Sequence, residues 1–432
     1  ATRLTNASLG TSHKYIYFYQ RRPLAKKAMA EAEWLFVRSH DKCPPIVRRR
    51  LNDLCWYRPM LRIQESEYTN GPQLSIMTYN LFEPCEWEKY PTPKYARSTI
   101  LMNKIARYNP DIVCLQELSD HSRWIERFAR YGYILRVAHP NKYHSIAIGY
   151  KWELFQEFDH ESTTFLPFNV GHEVEPASRH GALFMCLQFR NEFLDGFKLP
   201  SKDAIIVGTT HLPLRGVRSA ERTKFTASLM TATQQFADSV RIACAATPFQ
   251  FYTFIAGDFN STVDDAAYLS LVSKPVQFPR WAHDKLIVSM NTFLWRMEDG
   301  RDHRTRPYSK TPETVKRVAT LEHLHNRINA RAISLYSVGY GSVDGENCQP
   351  ITNEPWFSHW GTHSQELLDY IFVVTEWDGE ASTKIESLTQ FTQETQMRLM
   401  ALLQMPSGEN LGRPDCAQPR LGMFPSDHIC MM

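Results

Sequence analysis

The chain has 432 residues, of which 43% are hydrophobic and 22% are charged, and its formal net charge is +3. This composition supports a sizeable core and excludes a wholly disordered chain, and the length fits one large α/β domain with insertions or about two or three smaller domains. No charge-free run of about eighteen apolar residues is present to cross a bilayer, and nine scattered cysteines without a CxxC pair argue against a disulfide framework and a structural zinc site.

The N-terminal segment is strongly basic. Residues 1–50 carry eleven Lys and Arg against three Asp and Glu, a net of +8, which against the total of +3 leaves −5 for the rest. Such a segment is typical of nucleic-acid-binding arms, of organelle transit peptides and of solvated tails. We predict a basic, partly disordered extension over 1–70 and a folded domain over 71–432. An intracellular protein of the cytoplasm or nucleus is expected, with the mitochondrion as the alternative that the basic arm suggests.

The first regular elements form an α/β unit. Leu74–Tyr79 is a short apolar run after a turn sequence and predicts a buried strand. A helix is predicted over Tyr95–Tyr108, and it ends where Asn109 precedes a proline, because that position is pushed out of the helical region. Ile112–Leu115 predicts the next buried strand. Strand, helix and strand within about 40 residues are typical of an α/β fold.

The remainder combines strands, one long helix and one irregular segment. The helix is predicted over Ala220–Ala245. The segment 274–334 has poor periodicity and is predicted to be an insertion, and between 301 and 331 it carries eight Lys and Arg against three acids. Further strands are predicted at Ile134–Ala138, Ser145–Tyr150, Ala182–Phe189, Ala204–Thr209, Phe251–Ile255, Leu368–Val374 and Ile429–Met432.

Six of the predicted strands carry short polar side chains at or near one end. Strand ends collect into one crevice in α/β architectures, so these side chains are candidates to converge there. Taken singly, each has a structural explanation, such as a turn for Asn80 or a helix N-terminus for Glu117. The residues are Asn80, Gln116, Glu117, Thr210, His211, Asp258, Asn260, Asp369, Asp427 and His428.

If these residues converge, their chemistry suits hydrolysis of a phosphodiester or phosphomonoester. Glu117 and Asn80, with a further carboxylate, offer hard oxygen ligands that suit Mg²⁺ or Mn²⁺ rather than Zn²⁺. Such an ion polarises a phosphoryl group and stabilises the leaving alkoxide. Asp258 would orient or deprotonate the attacking water, and Asn260 would hold Asp258 in place.

The imidazole of His428 is a candidate donor to a non-bridging phosphate oxygen. A preorganised donor is most useful where negative charge builds up. An imidazole donates best when a carboxylate holds its other nitrogen, and Asp369 is the candidate for that role.

Six short motifs occur in a fixed order along the chain. They are Asn80 after a buried strand, LQE at 115–117, THL at 210–212, GDFNS at 257–261, LDYI at 368–371 and SDH at 426–428. In this order they resemble the endonuclease/exonuclease/phosphatase superfamily of magnesium-dependent phosphoesterases. NPDIVCLQE at 109–117 and NEPW at 353–356 resemble its deadenylase-like branch, which includes nocturnin and the Ngl-type RNA exonucleases.

This resemblance implies a fold, a cofactor and a substrate. The fold is a four-layered α/β/β/α sandwich of two mixed β-sheets with outer helices, and the site lies where the sheets open. Mg²⁺ is the implied cofactor, and single-stranded RNA, hydrolysed from 3′ to 5′, is the implied substrate of the 71–432 domain. The implied roles are Asn80 and Glu117 at the metal with Asp427 as a further candidate ligand, Asp258 and Asn260 at the water, His211 at the scissile phosphate, and Asp369 as the partner of His428.

Two departures from the branch lie near the expected nucleotide. Leu212-Pro213-Leu214 follows the THL motif's histidine where relatives carry an aromatic residue and a proline, and His180 stands where they often carry asparagine. A preference for poly(A) is therefore not predicted. Cations and exposed aromatic rings are what RNA binding requires, although a packed loop is an alternative for each candidate. The candidate substrate contacts are Lys142, His144, His180 and Trp356.

Several alternatives stay open at this point. One is a phosphatase of a small nucleotide such as NADP, a second is a non-catalytic RNA-binding relative, and a third is a DNA-repair endonuclease on the same fold. Every candidate catalytic position holds a chemically competent residue, which favours an enzyme. The number of metal ions, protein partners and oligomeric state are left open.

Overall fold

The computed structural model describes residues 34–35, 49–50, 55–63, 71–83, 94–138, 145–158, 163–168, 180–191, 203–214, 218–243, 250–299, 310–362, 364–379, 384–412, 417–420 and 423–432. The segments 1–33 and 301–309 and the candidate contacts Lys142 and His144 lie outside these residues. Their roles, and the compartment inferred from the basic segment, stay predictions. Within the described ranges, no helix combines the length and the apolar character needed to span a membrane.

The elements alternate between strands and helices along the chain. The strands are β1 (Trp34–Leu35), β2 (Arg49–Arg50), β3 (Met60–Arg62), β4 (Ile76–Asn80), β5 (Ile112–Gln116), β6 (Tyr133–Ala138), β7 (Ile146–Lys151), β8 (Phe155–Glu157), β9 (Thr163–Pro167), β10 (Gly181–Phe189), β11 (Ala204–His211), β12 (Phe251–Asp258), β13 (Ala330–Ser334), β14 (His359–Trp360), β15 (Gln365–Glu366), β16 (Asp369–Glu376) and β17 (Ala401–Leu403). The helices are α1 (Lys94–Tyr108), α2 (His121–Arg130), α3 (Ser219–Ala243), α4 (Ala266–Val272), α5 (Arg280–Asp299), α6 (Pro312–Asn326), α7 (Leu335–Val343), α8 (Leu388–Thr395) and α9 (Gly408–Leu411).

Two mixed sheets form the centre of the fold. Sheet one has the strand order β4-β5-β7-β6, with β4 and β5 parallel and the other pairs antiparallel. Sheet two has the order β13-β16-β12-β11-β10-β8, and β9 also pairs with β10. In sheet two, β11 and β12 are parallel and their neighbours are antiparallel. The predicted architecture of two mixed sheets is confirmed.

The alternation of side chains along the strands explains the layers. Successive residues of a strand point to opposite faces. On β4, Ile76 packs in the core between the sheets, whereas Met77 and Tyr79 pack under the outer helices α1 and α2. The core between the sheets includes Ile112, Cys114, Ile148, Leu183, Val207 and Ala256, and the core under α1 and α2 includes Leu101, Val113, Leu115, Trp124 and Phe128.

Helices also cover the far side of sheet two. Phe184 of β10 stacks on Phe236 of α3 with ring centroids 5.4 Å apart. The segment 274–334, predicted to be irregular, forms helices α5 and α6 and the edge strand β13. Its helical period was hidden because the buried stripe of α6 contains the polar residues Thr314 and His325 beside Val318. The four layers are therefore helices, sheet one, sheet two and helices.

The fold includes residues before the predicted boundary at 71. β3 pairs with β17, and Trp56 N donates to Met423 O at 2.8 Å. The buried guanidinium of Arg58 donates to Gln404 O and to Cys430 O, both at 2.6 Å. Because these partners lie between residues 401 and 430, residues 55–63 belong to the same folded body as that segment.

The last predicted strand, Ile429–Met432, is shorter in the structure than expected. Thr78 and Met431 exchange backbone hydrogen bonds of 3.0 and 3.1 Å, which form an isolated bridge beside β4. This bridge places the preceding residues, including His428, at the end of β4.

Candidate active site

Three strands of sheet two bring three predicted site residues into one row. His211 ends β11, Asp258 ends β12 and Asp369 begins β16. In the sheet register, His211 lies opposite Asp258, and Asp258 lies opposite Asp369. Residues opposite one another in a sheet point to the same face, so strand pairing alone brings these side chains together.

Sheet one supplies Asn80 and Glu117 from the ends of two parallel strands. The Asn80 side-chain amide donates to Asp258 Oδ2 at 2.9 Å and to Glu117 Oε1 at 3.2 Å. Its oxygen accepts a hydrogen bond from Phe82 N at 2.9 Å, which fixes the orientation of the amide. Glu117 has a φ of 56°, a left-handed conformation that turns the chain directly after β5. The predicted convergence of the two sheets at Asn80, Glu117 and Asp258 is what the structure shows.

Asp258 lies at the centre of the cluster. Its Oδ1 accepts a hydrogen bond from Asn260 N at 2.9 Å, and its Oδ2 lies 3.5 Å from both His211 Nε2 and His428 Nε2. Asn260 adopts a φ of 47°, and its side-chain amide donates to Leu212 O at 2.8 Å. A buried carboxylate with these neighbours is held in one orientation, as a residue that positions water must be.

His428 is held by Asp369. The distance from His428 Nδ1 to Asp369 Oδ2 is 2.7 Å. The Ser358 hydroxyl donates to the same Asp369 oxygen at 2.7 Å and accepts from Asp369 N at 2.9 Å. Burial would lower the pKa of His428, but the charges of Asp369 and Asp258 and the hydrogen bond that His428 donates to Asp369 outweigh it and raise this pKa well above its usual value. His428 Nε2 is therefore a charged donor that faces Asp258.

The segment that carries His428 is fastened to the end of β4. The Ser426 hydroxyl donates to Asn80 O at 2.8 Å and accepts from His428 N at 3.2 Å. Buried Arg97 donates to Pro425 O at 2.8 Å and to Phe82 O at 2.6 Å. These contacts hold the SDH motif between α1 and sheet one.

Asp427 faces a histidine that the sequence did not single out. Its Oδ2 lies 3.6 Å from His359 Nε2. Burial would raise the pKa of Asp427, but the hydrogen bond from His359 and the positive charges of His428, His359 and Arg97 lower it below the usual value. Asp427 is thus an ionised carboxylate beside the catalytic cluster.

The donor set fits a divalent cation. Burial, opposed by the charge of His211, raises the pKa of Glu117, so its negative charge is costly without a cation. Asp369 Oδ1 is buried and has no hydrogen-bond partner within the described part of the chain. The cluster brings four carboxylates together. Their oxygen atoms are the ligands that hard divalent ions prefer. The carboxylates of the cluster are Glu117, Asp258, Asp369 and Asp427.

The predicted substrate contacts fall into three groups. His180 is buried, its Nδ1 lies 3.1 Å from His211 O and its ring packs 5.5 Å from that of Phe225, so it holds the backbone of a site residue. Trp356 is 43% exposed and its predicted contact with a base stays a prediction, whereas Trp360 is buried. Lys142 and His144 lie outside the described residues, and their predicted contacts stay predictions.

Sequence reasoning missed Ser358, His359 and Arg97 as parts of the site. Ser358 and His359 lie in a loop before Asp369, and no local pattern distinguishes them from ordinary loop residues. Arg97 lies in the helix predicted over Tyr95–Tyr108, and no local pattern there indicates its contact with Pro425.

Comparison with known proteins points to the same chemistry. Residues 77–428 match the model of the Endonuclease/Exonuclease/phosphatase family. The chain is 29% identical over 422 residues to RNA exonuclease NGL2 of Saccharomyces cerevisiae, a match that covers 87% of this chain and 80% of that protein. It is 25% identical over 397 residues to the probable RNA exonuclease NGL3 of the same yeast, which covers 83% and 75%. Among solved structures, that of ANGEL2, a 2′,3′-cyclic phosphatase, is similar with a TM-score of 0.52 at 16% identity, covering 87% of this chain and 97% of that one, and supports the fold.

Proposed function

The chain belongs to the Endonuclease/Exonuclease/phosphatase family, and from this premise we propose that it is a Mg²⁺-dependent exonuclease that shortens single-stranded RNA from the 3′ end. Enzymes of this family generally depend on a divalent metal ion. RNA as the substrate is supported by the two yeast relatives that are named RNA exonucleases. The observation that carries the proposal is the meeting of Asn80, Asn260, His211 and His428 around the carboxylate of Asp258.

Asp258 and Asn260 act on the attacking water. Asp258 Oδ1 is held by Asn260 N at 2.9 Å, which leaves Oδ2 directed toward the space between His211 and His428. A carboxylate there accepts a proton from water as the water attacks phosphorus. The side chain of Asn260 fixes the adjoining loop through Leu212 O.

His428 and His211 act on the phosphate. His428 donates its Nε2 hydrogen to a non-bridging phosphate oxygen, and Asp369 keeps the imidazole charged and oriented through Nδ1. His211 Nε2 lies 3.7 Å from Glu117 Oε1 and 3.5 Å from Asp258 Oδ2, which puts it in reach of the same phosphate.

Glu117 would hold the metal ion, with Asp427 as a further ligand. Asn80, predicted as a ligand, turns its amide N–H toward Glu117 Oε1 and its oxygen toward Phe82 N, so it would orient Glu117 instead of binding the ion. When bound, Mg²⁺ polarises the phosphoryl group and stabilises the leaving alkoxide. Trp356, which is exposed near the start of the loop that carries Ser358, offers its ring to an unstacked base.

The test is hydrolysis of end-labelled single-stranded RNA by the purified protein, with Mg²⁺ and with EDTA. We expect stepwise shortening from the 3′ end in Mg²⁺ only, and its loss in Asp258→Ala. Asp238→Ala, which removes an exposed carboxylate of α3, is the matched control and should retain activity. Shortening that survives Asp258→Ala, or no shortening by the unaltered protein, would contradict the proposal.

A panel of poly(A), mixed-sequence RNA, single-stranded DNA and NADP under one Mg²⁺ condition separates the alternatives. RNA should be the fastest substrate. Phosphate release from NADP that exceeds nucleotide release from RNA would identify a phosphatase. Binding of RNA equally in Mg²⁺ and EDTA without cleavage would identify a non-catalytic binding protein.

A further inference from the structure

His359 adds a second imidazole beside Asp427 that the proposed reaction does not use. The distance from His359 Nε2 to Asp427 Oδ2 is 3.6 Å, and the rings of His359 and His428 lie 4.8 Å apart. One ligand atom from each of these three residues lies within 4.8 Å of the other two. Two imidazoles and a carboxylate therefore face one small space.

The hairpin of β14 and β15 is shaped around this imidazole. A Cβ atom at Gly361 would come within 2.8 Å of His359 Cε1 and 3.0 Å of its Nε2, so the glycine makes room for the ring. The backbone of His359 bridges to His428, and Trp360 N donates to Asp427 O at 2.8 Å. Backbone hydrogen bonds therefore hold the hairpin against the segment that carries Asp427 and His428.

Both imidazoles are oriented through Nδ1. His359 Nδ1 lies 3.4 Å from the Ser364 hydroxyl, and His428 Nδ1 lies 2.7 Å from Asp369 Oδ2. An oxygen partner at one ring nitrogen is the usual arrangement that directs the other nitrogen toward a metal ion.

The ligand types and spacing select the class of ion. Two histidines and one carboxylate, with a fourth position open, are a ligand set of Zn²⁺ in proteins, whereas Mg²⁺ prefers oxygen. Ligands placed about 2.0–2.1 Å from a tetrahedral ion are about 3.3 Å apart, close to the observed 3.6 Å between His359 and Asp427. The side chains of these two residues are 12% and 13% exposed, so an ion can enter from solvent.

We propose that His359, Asp427 and His428 form a site for a divalent transition-metal ion of the Zn²⁺ class, which shares Asp427 with the proposed Mg²⁺ site but does not include Glu117. An ion that binds His428 Nε2 displaces the proton of that nitrogen into solvent, which removes the donor that contacts phosphate. Zn²⁺ at this site therefore inhibits hydrolysis, a consequence that rests on the proposed function, whereas the binding itself does not.

The test is calorimetric titration of Zn²⁺ into the metal-stripped protein in excess Mg²⁺, without substrate. We expect His359→Ala to weaken Zn²⁺ binding by about tenfold or more and Ser364→Ala, which alters only the outer partner, by about tenfold. His283→Ala, a histidine of α5 away from the cluster, is the control and should bind as the unaltered protein does. Thermal melting checks that each variant is folded. If His359→Ala does not fold, the result for Ser364→Ala still tests the proposal.

Co²⁺ gives a second readout, because tetrahedral Co²⁺ absorbs strongly in the visible range and thiolate ligation adds a near-ultraviolet band. Visible bands without the thiolate band, lost in His359→Ala, would support the site. No Zn²⁺ binding in excess Mg²⁺, or unchanged binding in both variants, would overturn it. If Zn²⁺ binds through His359 but the protein hydrolyses no RNA, the proposed function alone is contradicted. If the protein hydrolyses RNA but does not bind Zn²⁺ through His359, this inference alone is contradicted.

Discussion

The carboxylate of Asp369 orients the imidazole of His428 through Nδ1. Replacing it in Asp369→Asn removes the charge that keeps His428 protonated but retains the shape of the side chain. We expect kcat to fall by about 10²–10³-fold with KM little changed, because the lost interaction is made in the transition state. Steady-state kinetics on single-stranded RNA measures this.

Ser358→Ala should show a smaller fall in kcat than Asp369→Asn. Ser358 orients Asp369 but carries no charge, so its loss should reduce kcat by much less, roughly tenfold. A kcat of Asp369→Asn within twofold of the unaltered protein would contradict the role of Asp369.

Glu354 is a buried carboxyl group away from the reacting atoms. Burial raises its pKa from the ordinary 4.5 to about 7, although hydrogen bonds from Ser334 and Tyr268 oppose the shift. The folded protein therefore holds this proton more tightly than the unfolded chain, so the stabilisation is complete below pH 4.5 and is lost as the pH rises through about 7. Glu354→Gln carries no titrating group, and the stability of the unaltered protein relative to this variant should fall by on the order of 2–3 kcal/mol between pH 5 and pH 8.

Chemical denaturation at the two pH values measures that difference. Glu346→Gln, an exposed residue of the neighbouring turn, is the control and should show no such change. Equal stability differences for Glu354→Gln at both pH values would show that the carboxyl group is not held in its neutral form.

Residues at the ends of strands were predictable from the sequence, whereas residues that support them were not. Asn80, Asp258 and His428 follow or precede apolar runs, and strand geometry accounts for their convergence. The contacts of His359 and Arg97 depend on segments distant in the chain, so no local periodicity points to them.

At the scale of elements, Gly257 allows β11 and β12 to approach next to the site. A Cβ atom at Gly257 would lie 2.2 Å from Thr210 O, a backbone atom that cannot move without separating the strands. We expect Gly257→Ala to lower stability by about 2 kcal/mol or more and to reduce activity, because Asp258 follows directly. Thermal unfolding with an activity assay measures both effects.

Gly345→Ala provides the control for this prediction. No atom lies within 4 Å of a Cβ built at Gly345, so the variant should melt close to the unaltered protein. If Gly257→Ala and Gly345→Ala melt at the same temperature, the close approach of the strands is not what requires glycine.

Helices and strands with a regular apolar pattern were predicted well. Those whose buried face also contains polar residues were not. The helix at α1 and the strands β5 and β11 lie within a few residues of the predicted ranges. Helix α6 buries polar side chains among its apolar ones, which hid its helical period. Residues 429–432 form a single backbone bridge to β4 and no longer strand. In both segments, contacts with the rest of the fold determined the structure.

At the scale of the whole molecule, the buried carboxylates couple metal binding to stability. A ligand that binds only the folded state stabilises it by about 2.7 kcal/mol at a hundred times its Kd. We expect Mg²⁺ to raise the melting temperature of the unaltered protein. Glu117→Gln should melt higher than the unaltered protein without metal, because burial makes the charge of Glu117 costly, and should gain little from Mg²⁺.

Scanning fluorimetry over a Mg²⁺ series measures both effects, with Asp238→Gln as the exposed control that should respond like the unaltered protein. A Mg²⁺ response that is the same in Glu117→Gln would place the metal elsewhere.

The layered architecture could be predicted because the family motifs and the strand pattern agree. The range of residues that forms the folded domain could not be predicted. Residues 55–63 join it through Arg58 and the pairing of β3 with β17, whose partners lie more than 300 residues away in sequence. Such long-range pairing leaves no signature in composition or local periodicity.

The most direct test of the site is anomalous diffraction from a crystal grown with Mn²⁺ in place of Mg²⁺ and with a cleavage-resistant single-stranded RNA. We predict an anomalous peak within bonding distance of a Glu117 carboxylate oxygen, with a phosphate of the RNA between His211 and His428. A peak that lies outside the reach of Glu117, or a phosphate bound away from Asp258, would contradict the account.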